Sequence, residues 1–287
     1  PSEGGYTTPS TVATMVIDAL KEFGGMRDVA TVLPTERGEA LSYPTSDGTT
    51  ETGEWLGENA PATQGDITFG SVPLNVFLAS SKKIALPWAL IQDSAIDVVA
   101  FVINRLAQRL GRLTSTGYTI GDGAGKPWGI VTRATAGKVA ATGNVSTFIY
   151  DDLLALVHSV NRAYRRQASF SMSDTALMAV RKIKDTDGRP IFVPSYEFGI
   201  TQDAPDMLLG KPININDDIP VPAANAKSIL FGDHKQYVIR DAMGFLLRRF
   251  DDSAFALNGQ VGFCGWMRTG GNLLDTAAVK YLQNSAT

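Results

Sequence analysis

The stretch GDGAGKPWG, residues 121–129, combines four glycines with a lysine, as loops that cradle phosphate do. A Walker-type loop needs a glycine six residues before its lysine and a Ser or Thr directly after it, and those places hold Ile120 and Pro127. A dinucleotide fingerprint fails as well: its third glycine would fall on Lys126 or Trp128, and the segment follows a helical pattern rather than a strand. The stretch therefore reads as a tight glycine turn joining two halves of the chain. Three acid pairs could suggest proton transfer: Asp151-Asp152, Asp217-Asp218 and Asp251-Asp252. Adjacent residues on a helix diverge by about 100°, so Asp151 and Asp152 do not face one substrate and better suit the positive end of a helix dipole. The other two pairs sit in turn-like contexts. No serine lies in a Gly-x-Ser-x-Gly elbow, and a zinc site would need Cys264, His158, His234 and a carboxylate drawn together, since these are the only cysteine and the only histidines. Nothing here requires a reaction, a metal or a cofactor.

Charge is distributed more tellingly. From Gly38 to Ser81 the chain carries Glu39, Asp47, Glu51, Glu54, Glu58 and Asp66 without one lysine or arginine, and the large aromatic Trp55 sits among them. Farther on, Arg105, Arg109 and Arg112 step by four and three residues, which stacks them on one helical face. On most helices such a stripe merely solvates a flank. Beside a segment with acids and no cations of its own, it raises the question of a partner on another subunit.

Bulk properties bound the answer. With 287 residues, 44% hydrophobic and 19% charged, the chain can bury one large core or two modest ones. A net charge of −3 argues against a dedicated nucleic-acid reader, which would normally carry a clearly basic domain, so any DNA contact should be weak and nonspecific. The lone Cys264 rules out an internal disulfide and suits a reducing site of synthesis. No run reaches the roughly 18 to 20 apolar residues of a membrane span. A start at Pro1 rather than methionine agrees with removal of a leading segment.

The elements that must position these groups follow from periodicity. A polar Gly/Pro opening reads as an arm, with a short amphipathic helix over 12–23. EALSYP and DITFGSVPLNVFLASSKKIAL alternate as strands around a Gly/Thr/Glu-rich tip, giving a long two-stranded excursion too thin to stand alone. Ser94 is placed to cap a helix of about 20 residues, roughly 30 Å long, with Val99, Val102, Leu106, Leu110 and Leu113 on its inward stripe. Helices are expected over 149–165, with Leu153, Val157, Val160 and Tyr164 inward, and over 174–184, with Leu177, Val180 and Ile183 inward. Short strands PIFVP, PININ, SILFGD, YVIRD and FLLRRF follow. Helices clustered ahead of a run of strands indicate an α+β fold.

Taken in order, GGY near the start, EWLGENAPATQGDITF, IQDSAID, GDGAGKPWGI, LLGKPI and ILFGDHKQYVIRDAMG resemble the tailed-bacteriophage major capsid family with the Hong Kong 97 fold. The six stretches fall in the family's sequence and spacing over about 270 residues. The resemblance implies an N-terminal arm (1–30), an extended β-hairpin loop (39–85) and a discontinuous peripheral domain (86–140 and 266–287, with about 31–38) carrying a long spine helix. The axial domain would span 141–265. It implies a structural protein rather than an enzyme, self-assembling through pentamers and hexamers into an icosahedral head. That head would enclose double-stranded DNA, as part of a virion assembled in the bacterial host cytoplasm. Implied partners are further copies of the chain, nonspecific DNA on the inner face, a portal, a scaffold or protease, and a decoration protein. Arm residues such as Tyr6 and Pro9 would rearrange on shell expansion.

Since the family lays the extended loop over the next subunit's spine helix, the intersubunit contact is expected between Glu51, Glu54 and Glu58 and the basic groups Arg105, Arg109 and Arg112. Trp55 would be its apolar anchor. Some relatives weld their shells by a lysine–asparagine isopeptide bond assisted by a glutamate. Here Ala62 falls near the lysine's place, Asn258 at the asparagine's and Gly265 near the glutamate's, so no self-cross-linking is expected. The alternatives are an encapsulin-type bacterial nanocompartment shell and, more distantly, a hydrolase or nucleotide-binding enzyme.

Overall fold

The computed structural model describes residues 25–46, 51–59, 61–67, 69–94, 97–184, 187–188 and 207–287. The expected arm helix over 12–23 and the strand PIFVP lie outside them.

The chain enters through β1 (Thr31–Pro34) and then makes a two-stranded antiparallel hairpin, β2 (Ser42–Ser46) with β3 (Phe69–Pro73), in the register Ser42↔Pro73 to Ser46↔Phe69. This is the expected excursion, but its return is shorter than the sequence suggests: β4 (Phe77–Ser80) and β5 (Ile84–Pro87) already belong to a larger sheet. A short helix α1 (Trp88–Asp93) follows, then α2 (Val98–Ile120), 23 residues and about 34 Å long. Ser94 is not the cap of the long helix but the residue that ends α1; the N-cap is Asp97, whose carboxylate accepts from the Ala100 amide at 3.0 Å. Val102, Leu106 and Leu110 are buried as expected, and the stripe is continued by Thr114 and Tyr118. Leu113 lies outside it, half exposed.

After the turn at 121–129 come α3 (Ile130–Arg133), β6 (Thr135–Val139) and α4 (Tyr150–Ser159). The helix expected over 149–165 breaks at Val160, which is extended, and resumes as α5 (Arg162–Arg165) under an Asn161 cap. Arg165 closes the break by donating to the carbonyls of His158 and Val160, groups the helix end would otherwise leave unpaired. Then follow β7 (Ser169–Met172), α6 (Asp174–Arg181), β8 (Met207–Leu208), β9 (Lys211–Ile215) and β10 (Lys227–Gly232). YVIRD and FLLRRF are one strand, β11 (Tyr237–Phe250), bent by register shifts between Asp241 and Leu246 instead of being cut by a turn. After α7 (Ser253–Ala256) come β12 (Gln260–Leu273) and β13 (Val279–Gln283).

Two sheets organise these elements. The first, ordered β1-β11-β12-β4 with β5 also on β12, carries α2 across it: Val102, Ile103, Leu106, Ala107 and Leu110 pack onto Val261, Phe263, Met267 and Leu247. The second, ordered β6-β13-β10-β7-β9-β8, is covered by α4 and α6. Alternation along β10 divides its two faces: Ile229 and Phe231 point to the α4/α6 core, Leu230 to a joint core with Tyr118, Tyr237, Ile239, Leu273 and Val279. That joint core binds the sheets together. The grouping cuts across the expected segments: β12 runs unbroken through 265 and 266, β11 sits with the long helix, and β13 sits with β10.

Candidate functional site

Glycines and backbone amides decide what the 121–129 turn can do. Asp122 and Trp128 bridge across it, and Gly123 and Gly125 adopt positive φ angles (79° and 68°) that favour glycine. The Gly121, Ala124, Trp128 and Gly129 amides already donate, to Gly117 O, Asp122 Oδ1, Gly271 O and Gly121 O. Those four donors are used inside the fold. The Trp128 carbonyl accepts from Tyr237 Oη at 2.6 Å, and Arg133 lies 5.2 Å from its ring centre. The expected structural turn is what the chain builds, pinned to the joint core; burial pushes the phenols of Tyr118 (to about 12) and Tyr237 upward.

The acid pairs are likewise structural. Asp152 is buried at the start of α4, 3.6 Å from Lys138, and desolvation raises its pKa despite that cation. Asp217 accepts from the Asp174 amide, capping α6 from another loop, and Asp218 takes the hydroxyls of Ser115 and Thr116 on α2. Asp251 pairs with Arg249 at 3.1 Å, and Asp252 is the N-cap of α7. Cys264 is buried beside Ser80, and among the described residues no group of three potential metal ligands converges.

The acidic hairpin is built differently. Residues 51–59 and 61–67 of its tip are exposed, and Trp55 is exposed to 103% of its reference area. Glu54 organises the tip: its carboxylate accepts from the Thr63 amide at 2.5 Å and the Thr63 hydroxyl at 2.6 Å, which lowers its pKa and ties the two limbs together. At the base, one buried guanidinium gathers both limbs. Arg240 of β11 donates to the carbonyls of Arg37 (2.9 Å), Glu39 (2.7 Å) and Leu74 (3.0 Å) and to Thr35 Oγ1 (3.2 Å). Asn272 adds a bond to Pro73 O. The hairpin is thus firmly rooted and projects its acids and its aromatic into solvent.

Arg105, Arg109 and Arg112 lie on the exposed flank of α2, away from the sheet. Arg105 stacks over Phe101 at 5.2 Å and reaches Gln108. Among the described residues no ion pair involves Glu51, Glu58, Arg105 or Arg109. Glu51 and Glu58 on the hairpin and Arg105 and Arg109 on α2 are thus exposed on one subunit without an ion pair among the described residues. Sequence reasoning missed Arg240, Thr63 and the Asp217 cap. An arginine inside the apolar run YVIRD was the one available signal, since a buried cation must find acceptors.

A model of the phage capsid family matches residues 4–284. The chain belongs to the phage capsid family. Among solved structures it resembles the capsid of a native GTA particle, with a TM-score of 0.80 and 28% identity over 92% of this chain and 91% of that one. Chains from structures of Gordonia phage Cozz (TM-score 0.68, 14% identity, 91% of this chain and 86% of that one) and Mycobacterium phage Adephagia (0.67, 14%, 92% and 91%) share the fold. No curated protein is similar enough in sequence to count as a relative. The fold is thus the Hong Kong 97-type α+β capsid fold, and the role of this capsid protein is structural, as a component of an icosahedral shell.

Proposed function

We propose that this capsid protein is the major shell subunit of a tailed-phage-type particle, assembling through pentamers and hexamers around double-stranded DNA in the host cytoplasm. The observation that carries the reading is the rooted, outward-facing acidic hairpin: a tip with every described residue exposed gains stability only by lying on something else. Its neighbour is a second copy, whose arginine flank carries the opposite charge. In domain terms, the hairpin built on β2 and β3 is the extended loop, the sheet under α2, with β4 and β5, is the peripheral unit, and the sheet under α4 and α6 is the axial unit at the five- and six-fold vertices. DNA contact is through scattered cations to phosphate, without base readout. Portal, scaffold or protease, and decoration proteins are the further partners.

Stability is noncovalent on this reading. Gly265 stands in mid-strand near the place of the glutamate, and a Cβ there would come 2.5 Å from the Phe245 ring. The Asn258 side chain is engaged with Ala254 O. Electron microscopy of the expressed protein tests the proposal: closed shells with nucleic-acid absorbance support it, empty cargo-bearing shells favour the encapsulin type, and a stable monomer refutes assembly. The higher identity to the GTA capsid than to the phage capsids favours, as a second reading, a shell of that particle's type. Sequencing the enclosed DNA separates the two, because a phage head holds one repeated genome that encodes this chain.

A further inference from the structure

The glycine turn does more than connect, because it forms one wall of an apolar cleft. Between the end of α2 and the edge strand β4 lies a cleft of about 500 Å³ lined by Phe77, Leu78, Leu113, Ile120 and Pro127, with Arg112 and Lys126 also on its walls. Leu78, Leu113 and Ile120 are each roughly half exposed, an apolar grouping of the kind that marks an interaction site. Its volume lies in the range that takes one bulky group, roughly 300–1,000 Å³. We propose that this cleft is the receptor for Trp55 of a second copy, with Leu56 beside it, so that the 121–129 turn and β4, and not the arginine flank alone, fix where the loop of the next subunit lands.

Three observations choose that occupant. Trp55 is fully exposed on its own subunit and Leu56 half exposed, so the tip carries an apolar knob with no seat of its own. Glu51 and Glu58 flank the knob, and the exposed Arg109 lies on α2 one turn before the cleft wall, while Lys126 on that wall is paired with Asp122 at 3.2 Å. The subunit's own tip is led away: β2 and β3 pair over four residue steps, about 14 Å, beyond a base held by Arg240, and every described tip residue faces solvent. An aromatic anchor ringed by weaker charged contacts is the usual distribution of energy in a protein interface.

This inference rests on the shell reading, and the experiment separates the two. In a Cys264→Ala background, a Leu56→Cys protein and a Leu113→Cys protein are mixed, co-assembled, inspected by electron microscopy and oxidised. Disulfide-linked pairs should form at several-fold the yield given by Leu56→Cys with a cysteine at the exposed Ile149, and adding Trp55→Ala should lower that yield several-fold. Closed particles without the linked pairs, or pairs indifferent to Trp55→Ala, overturn the receptor and leave the shell intact. A chain carrying both cysteines that closes only an internal bond assigns the cleft to its own loop and also overturns it. Failure of the Cys264→Ala parent and the natural sequence alike to form any particle removes the shell reading and the inference with it.

Discussion

Arg240 has no aqueous alternative once folded, and neither do the carbonyls it holds, so its removal strands several acceptors at once. A charged donor bonded to a carbonyl contributes about 1.5–3 kcal/mol, and three carbonyls share this one side chain. Arg240→Met should therefore cost about 3 kcal/mol in a denaturant melt, and amide exchange should speed up most at 37–41 and 74, where the hairpin is rooted. His234 gives a second, pH-dependent expectation. Its Nδ1 bonds Ser169 Oγ at 2.9 Å, its Nε2 is buried without a hydrogen-bond partner among the described residues, and desolvation, opposed by the Gly232 backbone, lowers its pKa to about 4. The unfolded imidazole takes its proton near pH 6.5, the folded one near 4, so falling pH favours the unfolded state throughout that window. The contribution is complete above pH 6.5 and gone by about pH 4, a loss of about 3 kcal/mol. Stability measured from pH 7 to 4 should fall less steeply in His234→Asn by about that amount.

At the scale of elements, β12 shows where composition misleads. Gly262, Gly265, Gly270 and Gly271 make QVGFCGWMRTGGNL unattractive as a strand on propensity, yet it is the strand on which β11, β4 and β5 all pair. Its glycines answer to neighbours brought from far along the chain. A Cβ at 270 would meet the Asn75 carbonyl oxygen at 1.8 Å, whereas the near contacts of one at 265 are side chains, the Phe245 ring at 2.5 Å and Ser81 Oγ at 3.4 Å. Gly265→Ala should cost about 1–3 kcal/mol, since the ring can shift, and Gly270→Ala distinctly more, since backbone must move; thermal melts of the pair decide the order. The hairpin, the long helix, the buried Val102-Leu106-Leu110 stripe and the α+β class were legible because each follows from local periodicity. The split at Val160 and the cap at Asp97 were not, because both turn on which nearby polar group wins the helix end, and Arg165 and Asp97 settle that only in three dimensions. The candidate surface was legible as charge on a hairpin and a helix; its root at Arg240 depends on pairing across some 200 residues.

For the whole molecule, the issue is how weak contacts hold a shell. Glu54 is already engaged with Thr63, so in the proposed contact Glu51 and Glu58, exposed like Asp66, are the acids that would face Arg105, Arg109 and Arg112 of an adjoining subunit. Exposed ion pairs contribute about 0–1 kcal/mol each, so no single pair decides assembly, but each is repeated at every subunit contact. Arg109→Glu replaces one attraction with a repulsion while leaving the buried side of α2 untouched, because Arg109 is exposed. The critical concentration for particle formation should rise by up to about fivefold per unit contact at 50 mM salt, following 1.4 kcal/mol per factor of ten. At 1 M salt the Debye length shrinks to about 3 Å, and the variant should approach the parent. Light-scattering titrations at both ionic strengths make the comparison. A variant that assembles like the parent at both would show that the acidic tip lands elsewhere, whereas a salt-independent defect would point to shape and not charge at that position. Because the apolar anchor is insensitive to screening, the parent shell should persist at 1 M salt, and the charges then serve mainly to select register and speed encounter.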